Sequence, residues 1–246
     1  MNNKSLGTAT LAVLGFAVLP AQTDSITQTA SVPQQSTDIT NEVLLPLIEK
    51  FNTALGTLNQ VIVEFDGHIV TTTGLAENLD AEPQTLTANL QGQFTLSGPD
   101  GVLFSESVIA SAQKSVSAFD GSIPADFVGP ASFDFQGLAG TKSDTATYTV
   151  ADPEFTSFLG GANEPLDTPF IFSATGTAQV TGAANLANFI LTEAGADVSV
   201  TYNYMPHTTS VPEPGVVLGL AIVSSVVALR RKWIAASVNC GEVSPG

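Results

Sequence analysis

The sequence predicts an all-β protein, built as a sandwich or barrel, and two observations support that prediction. Residues 24–206 are rich in Thr, Val, Ser and Phe. Their short alternating runs are separated by Gly, Pro, Asn and Asp, which is typical of sandwiches and barrels. The chain of 246 residues is also long enough for one good-sized domain or two small ones.

Eight segments have the composition and punctuation of strands. They lie around residues 25–32, 60–72, 84–97, 102–117, 131–137, 144–150, 169–181 and 196–206. In the last segment, apolar and polar residues alternate at the strand period of two. Its apolar face consists of Val198, Val200, Tyr202 and Tyr204. Between the third and fourth segments, Asp100-Gly101 predicts a hairpin turn.

Two stretches are less strand-like. Asp152, Pro153 and Gly160 are typical of an N-cap, a first helical residue and a helix stop, which predicts a short helical turn. Residues 41–56 place apolar side chains at helical spacing, but Pro46 would break the hydrogen bonding of a helix there. We therefore expect a strand and a loop in that stretch.

The charges are concentrated in the middle of the chain. The formal net charge is -16, and all 23 acidic residues except Glu213 and Glu242 lie within residues 22–211. The bases of that part are Lys50, Lys114 and Lys142. Because neutralising phosphates needs clustered Lys and Arg, we expect no nucleic-acid partner. One Cys and two His also argue against a zinc site.

Residues 1–21 have the layout of a secretory signal peptide. Lys4 gives a short cationic start, an apolar run follows, and Ala21 precedes Gln22 at the expected cleavage edge. The alternative is an N-terminal transmembrane anchor, but the run of about 14 residues is short for a membrane span. We expect export of the chain.

The C-terminal end has three parts, which are a Pro-Glu-Pro motif, an apolar run and a basic cluster. They are formed by Pro212, Glu213 and Pro214, by residues 215–229, and by Arg230, Arg231 and Lys232. As a transmembrane helix, the apolar run would rise about 22 Å, so the basic side chains would have to reach out to the membrane interface. Since positive residues stay on the cytoplasmic side, we expect the acidic middle outside the inner membrane.

This tripartite tail resembles the PEP-CTERM sorting signal of exosortase-dependent bacteria. The resemblance implies that a membrane-embedded exosortase recognises residues 212–232 and cleaves near the Pro-Glu-Pro motif. It also implies a membrane-anchored intermediate, a final location at the cell surface or outside the cell, and an association with exopolysaccharide and biofilm. The alternative is an ordinary single-pass anchor that follows a chance Val-Pro-Glu-Pro sequence.

Residues 233–246 depart from that family, whose members usually end within a few residues of the basic cluster. On the expected topology this extension is cytoplasmic, where the thiol of Cys240 stays reduced. No neighbouring residue supplies the base that would make Cys240 a nucleophile.

The middle of the chain resembles the choice-of-anchor E domain of bacterial surface proteins. The resemblance lies in residues 25–33, 51–65, 85–96, 135–144 with the following Asp152-Pro153, and 196–206. It implies one immunoglobulin-like or jelly-roll-like sandwich over residues 22–206, with residues 207–211 as a linker to the tail, and it implies no catalytic residues. Members of that family carry different surface anchors, among them the PEP-CTERM signal.

We do not expect an enzyme. His68 and His207 are the only histidines of the chain, and a catalytic triad needs a base positioned beside a nucleophile. His68 follows Asp66-Gly67 and is expected in a turn or at a strand edge, whereas His207 is expected in the linker. The scattered acidic residues define no particular pair for glycoside hydrolysis.

Calcium and polysaccharide are the ligand classes that the sequence leaves open. Acidic residues expected at turns could supply oxygen ligands to calcium. They are Asp66, Asp100, Asp120, Asp134 and Asp152. No calcium-loop motif occurs, so we assign no metal site or cofactor. The leading expectation is a non-enzymatic surface or matrix protein, and the alternative is a calcium-dependent carbohydrate-binding or adhesin module.

Overall fold

The computed structural model describes residues 22–99, 101–121 and 125–207, which form strands and a single short 3₁₀ helix, Pro153–Phe158. The prediction of an all-β protein is therefore confirmed. In chain order the strands are β1 (Asp24–Ser36), β2 (Ile39–Val43), β3 (Phe51–Asn52), β4 (Gly56–Asn78), β5 (Gln84–Gly98), β6 (Gly101–Val116), β7 (Ser132–Asp134), β8 (Ala139–Thr149), β9 (Leu159–Gly160), β10 (Ile171–Thr181) and β11 (Leu186–Pro206).

Both expected targeting segments lie outside the described residues. This applies to the signal peptide at 1–21, the sorting motif at 212–214, the apolar run at 215–229, the basic residues 230–232 and the extension at 233–246. In the part of the chain that the structure describes, no helix is long and apolar enough to cross a membrane.

Two antiparallel sheets enclose the core. The first has the strand order β1-β11-β4-β7, with β8 paired to the edge of β4 that β7 also uses. The second has the order β2-β10-β5-β6. Rings from both sheets meet, since the ring centroid of Phe65 in β4 lies 5.7 Å from that of Phe104 in β6. The sheets therefore pack on one another as a sandwich.

The strands β4 and β11 form the long centre of the first sheet. They pair over the whole length of β11, from Leu186 to Pro206. The strand β1 pairs only with the second half of β11, where Asp24 lies opposite Tyr204. The first strand therefore begins at the end of the sheet where the last strand stops.

The Asp66-Gly67 pair lies inside β4, so the turn expected there is wrong. Gly67 lies opposite Ala196 of β11 and Lys142 of β8. A Cβ atom at Gly67 would lie 2.8 Å from ring carbons of Phe65 and Phe94. The glycine is thus explained by two rings that pack against the strand, and β4 continues past it without interruption.

The hairpin predicted at Asp100-Gly101 is confirmed by the pairing of β5 with β6. Gly98 and Gly101 close the pair across a short turn. Gly101 has a φ of +105°, a conformation that glycine adopts at no steric cost. Asp100 itself lies outside the described residues.

The two less strand-like stretches also fold as predicted in outline. Residues 41–56 contain no helix and are formed by the end of β2, by β3 and by loops. Asp152 and Pro153 begin the predicted helical turn, but the Asp152 carboxylate accepts hydrogen bonds from Thr149 instead of capping the helix. The helix ends at Phe158 and is capped by Leu159, one residue before the predicted glycine stop.

The larger of two apolar clusters is the aromatic core, which is centred on the buried rings of Phe65, Phe94 and Phe172. The apolar face predicted for residues 196–206 points into it, and Tyr202 is 1% exposed there. Burying one such side chain contributes about 1.5–3 kcal/mol, so this cluster is the main apolar contribution to stability.

A smaller cluster, here named the minor core, lies where β4, β5, β6, β7 and β10 begin or end. Its buried members are Ala76, Leu86, Ala88, Val116, Phe133, Phe135 and Val180. Because most of these side chains are small, less apolar area is available to stabilise this end of the sandwich.

Candidate metal centre

The connection from β6 to β7 crosses from the second sheet to the first over the minor core. It comprises residues 117–131, named the crossing loop here, of which 122–124 are outside the described residues. Its two ends are joined by a hydrogen bond of 2.9 Å from Ser117 N to the carbonyl of Pro130. Phe119 N donates to the carbonyl of Asp80 at 2.9 Å, which holds the loop against the residues that follow β4.

The second half of the crossing loop is tightly turned. The Asp126 carboxylate accepts a hydrogen bond of 3.0 Å from Val128 N. Phe127 has a φ of +56° and Gly129 a φ of +83°. This turn directs the backbone N–H of Phe127 towards β4, where it donates to Glu77 Oε2 at 2.8 Å.

Glu77 is a carboxylate buried in the strand beneath the loop. It is 0% exposed, as are its neighbours Ala76 and Asn78, so the alternation of inner and outer faces stops here. The strand is buried on both faces because the crossing loop covers the side that would otherwise face water. Among the described residues, Glu77 Oε1 has no hydrogen-bond partner.

Three acidic residues converge at this point. Glu77, Asp120 and Asp126 each place one carboxylate oxygen within 4.8 Å of the others. Glu77 is buried, whereas both aspartates are exposed, so the group is open to solvent on the loop side. Carboxylate oxygens of this kind are ligands for hard cations such as calcium.

Two lysines of the described residues, Lys50 and Lys142, form ion pairs away from this cluster. Lys50 lies 2.7 Å from Glu164 and 2.9 Å from Asp167, between Nζ and the carboxylate oxygens. The hydrogen bond that Lys50 donates to Glu164, and then the one it donates to Asp167, raises the pKa of Lys50, and Lys50 lowers the pKa of Glu164 in turn. Lys142 pairs with Glu106 at 3.2 Å.

A polar network beside the three acids holds their surroundings in place. The Asn78 amide donates to the carbonyls of Glu82 at 2.9 Å and Ser117 at 2.8 Å. The Asp80 carboxylate accepts hydrogen bonds from Ala184 N at 2.8 Å and from the backbone and side chain of Asn185. These hydrogen bonds hold the pKa of Asp80 below its ordinary value, and the bond from Ala184 N has the largest effect.

Of the five aspartates considered for calcium, the structure brings only Asp120 into a cluster. Asp66 is exposed in β4 and accepts a hydrogen bond from Ser143, and Asp134 accepts one from Gln136 N. Asp152 is bound by Thr149, and Asp100 is outside the described residues. The expectation that Asp66 lies at a turn is wrong.

Sequence reasoning did not identify Glu77 or Asp126. Glu77 comes from a strand and Asp126 from a loop far along the chain, so no local spacing links them. The one signal in the sequence is a Glu within an otherwise β-rich segment, followed by Asn78, and that signal is weak by itself.

The histidines lie apart from this cluster. His68 is in the middle of β4, opposite Gly195 and Thr141, so the expected turn or strand-edge position is wrong. Its ring packs over Gly195, where a Cβ would lie 2.6 Å from His68 Nε2. His207 is exposed and follows β11, within the residues expected as a linker.

The residues assigned to sorting fall almost entirely outside the described part of the chain. Pro212, Glu213 and Pro214 are there, together with Arg230, Arg231, Lys232 and Ala21. Gln22, on the other side of the expected cleavage edge, is described and is exposed directly before β1.

A shallow groove of about 290 Å³ lies on the outer face of the second sheet. Amide and hydroxyl side chains of β5, β6 and β10 line it, including Gln91, Gln93, Thr175 and Thr177. Small-molecule sites usually begin at about 300 Å³, so this groove is at the lower limit.

Comparison with known proteins gives little similarity. No family model matches the chain, and no curated protein matches it. Among solved structures, the Gt strain of infectious bursal disease virus aligns at 13% identity with a TM-score of 0.15, over 82% of this chain and 47% of that chain. T=1 particles derived from the same virus align at 14% identity with a TM-score of 0.14, over 87% of this chain and 51% of theirs. The chain thus spans about half the length of these proteins, and the TM-scores are too low for any conclusion about fold or function.

Proposed function

We propose that this chain is a non-enzymatic, exported surface or matrix protein that an exosortase sorts at its C-terminal tail. The observation that carries the proposal is the order of the Pro-Glu-Pro motif, the apolar run and the basic cluster over residues 212–232, behind a single acidic domain. In this proposal the domain is a choice-of-anchor E sandwich, immunoglobulin-like or jelly-roll-like, associated with exopolysaccharide or biofilm.

The ends of the β-domain support this function. The first strand begins at Asp24 and the last ends at Pro206, and these ends lie side by side because Asp24 pairs with Tyr204. Both expected processing sites are within a few residues of this end in the sequence. Glu77, opposite Ala187 near the start of β11, lies at the other end of the sheet.

Deletion of residues 212–232 from the full chain tests the proposal. In a Gram-negative host with an exosortase, the deletion should abolish membrane retention and processing, as measured by cell fractionation and intact mass. A deletion of residues 233–246 is the matched control, because the extension lies beyond the sorting signal and should leave both unchanged. Unchanged fractionation and mass in the first variant would contradict the proposal.

The second candidate function is a calcium-dependent carbohydrate-binding or adhesin module. The cluster of Glu77, Asp120 and Asp126 favours it, because a calcium ion there would offset two of the acidic charges that repel anionic polysaccharides. A glycan array with the full chain, with and without calcium, tests this candidate. Glycan signals that do not depend on calcium, or no signals at all, would count against it.

A further inference from the structure

We propose that Glu77, Asp120 and Asp126 bind a calcium ion that fastens the crossing loop to β4. Two independent observations carry the proposal. Three carboxylates converge within the reach of one ion, and the buried one has an oxygen without a hydrogen-bond partner among the described residues. Calcium binding at this site does not depend on how the chain is sorted.

The first step is the state of Glu77. A carboxylate removed from water is costly unless hydrogen bonds or an opposite charge compensate both oxygens. Oε2 has the backbone N–H of Phe127, but Oε1 lacks a comparable donor. The ion pairs of Lys50 and Lys142 involve other acids, so neither lysine supplies the missing charge at Oε1. A bound cation would satisfy this oxygen.

The second step is the geometry. Calcium–oxygen distances are about 2.3–2.6 Å, so two ligand oxygens on opposite sides of one calcium lie about 5 Å apart. The three carboxylate oxygens lie within 4.8 Å of one another, which is inside that limit. Asp120 and Asp126 are exposed, so water would complete the coordination. Calcium tolerates such irregular, partly hydrated oxygen sets better than magnesium does.

The third step is what the ion would connect. Glu77 belongs to the first sheet, whereas Asp120 and Asp126 belong to the loop that arrives from β6 of the second sheet. The minor core beneath them consists mostly of small side chains. An ion shared by strand and loop would therefore hold together the end of the sandwich that has the least apolar burial.

Calcium itself is the probe for the test. The full chain, purified in mild detergent, is titrated with calcium chloride by isothermal titration calorimetry and melted with calcium or with a chelator. We expect half-saturation at about 10⁻⁴–10⁻³ M, the range of extracellular calcium modules. At ten times that concentration, the melting temperature should rise by roughly 3–6 °C, since a ligand of the native state stabilises it.

Two substitutions locate the ion, and each has a matched control. Glu77→Gln and Asp126→Asn should each weaken calcium binding by about tenfold or more, which corresponds to about 1.4 kcal/mol. Glu64→Gln makes the first change at an exposed position of β4. Asp134→Asn makes the second change at an exposed aspartate that accepts the same kind of backbone hydrogen bond as Asp126. Both controls should keep the calcium response of the unmodified chain.

In chelator, Glu77→Gln should melt at or above the temperature of the unmodified chain, because a neutral amide costs less to bury than a carboxylate. If Glu77→Gln does not fold, the calcium response of Asp126→Asn tests the proposal. The proposal is overturned if calcium changes neither the heat signal nor the melting temperature. It is also overturned if the folded variants keep the full calcium response, because the ion would then be bound elsewhere.

Discussion

The aromatic core and the minor core fill the same sandwich, but their surroundings differ in polarity. The aromatic core is closed by rings from both sheets, and Phe65, Phe94 and Phe172 are in mutual contact there. Beside the minor core, the fully buried residues include Glu77 and Asn78. The stability of one end of the sandwich thus depends on apolar burial, whereas that of the other end also depends on hydrogen bonds made by buried polar groups.

This difference indicates where a ligand can affect the fold. The rings of Phe65, Phe94 and Phe172 at the centre of the aromatic core offer no group to an ion or to a proton. The minor-core end has a buried carboxylate, a buried amide and a hydrogen-bonded Asp80 within a few residues of β4. Sensitivity to cations and to acid should therefore be concentrated at this end, whereas sensitivity to lost volume should be greatest in the aromatic core.

The largest expected effect is in the aromatic core. Phe94→Ala should reduce the free energy of unfolding by about 3–5 kcal/mol, since it leaves a cavity where a fully buried ring lay. Denaturant unfolding of the full chain measures this value. Phe189→Ala is the matched control, because Phe189 is 51% exposed and its loss should change stability by about 0.5 kcal/mol or less. Equal effects of the two substitutions would contradict the comparison.

The next effect concerns the polar end. Asn78→Ala should reduce the free energy of unfolding by about 1–3 kcal/mol, because the carbonyls of Glu82 and Ser117 lose their donor. The same unfolding experiment measures it, with Asn188→Ala on the exposed face of β11 as the control. No loss of stability would show that the network of Asn78 does not support this end.

A smaller effect tests a polar contact made by a buried ring of the aromatic core. Tyr202→Phe removes the hydrogen bond of 2.7 Å from the Tyr202 hydroxyl to the carbonyl of Glu49. The expected loss is about 0.5–1.5 kcal/mol at neutral pH, with Tyr204→Phe as the control.

The unmodified chain and Tyr202→Phe should also differ in how their free energy of unfolding depends on pH. Burial, and then the charge of Glu49, raises the pKa of Tyr202. Above about pH 10 the unfolded tyrosine ionises while the folded one stays neutral, so stability falls with rising pH in the unmodified chain. Tyr202→Phe should lack this contribution. If the free energies of unfolding of the two chains differ by the same amount from pH 7 to 11, the prediction is wrong.

The smallest expected effect is the acid response of Asp80. Its pKa is lowered in the folded chain, so its contribution to stability is present above the ordinary value and is lost as pH falls through the folded value. The difference in melting temperature between the unmodified chain and Asp80→Asn should therefore narrow below about pH 4. A difference that is the same at pH 7 and pH 3 would show that the Asp80 charge has no stabilising role.

Sequence patterns predicted the strands well where burial is one-sided. In residues 196–206, alternation revealed both the strand and its inner face, because each inward side chain meets the core and each outward one meets water. The same reasoning failed at Asp66-Gly67, which has the composition of a turn. Glycine there is explained by the ring of Phe65, two residues earlier, and by the ring of Phe94 from β5, and local sequence contains no information about the Phe94 ring.

The sequence patterns also did not predict that the first half of β11 and the last part of β4 are strands. Residues 186–195 contain Phe189, Ile190 and Leu191 in succession, so they lack the regular alternation that marked the later half of the strand. They are extended because they pair with β4 along their whole length. Pairing with a distant strand, rather than intrinsic preference, decides the structure of such segments.

The sequence by itself determined the all-β class, the β5–β6 hairpin and the acidic character of the domain, and it supplied the two targeting patterns on which the sorting proposal rests. These features depend on composition and on neighbours along the chain. Only the tertiary structure decided that Glu77 is buried and that Asp120 and Asp126 lie beside it. The physical reason is that the crossing loop covers a strand more than forty positions earlier in the chain, and both burial and charge clustering arise from that contact.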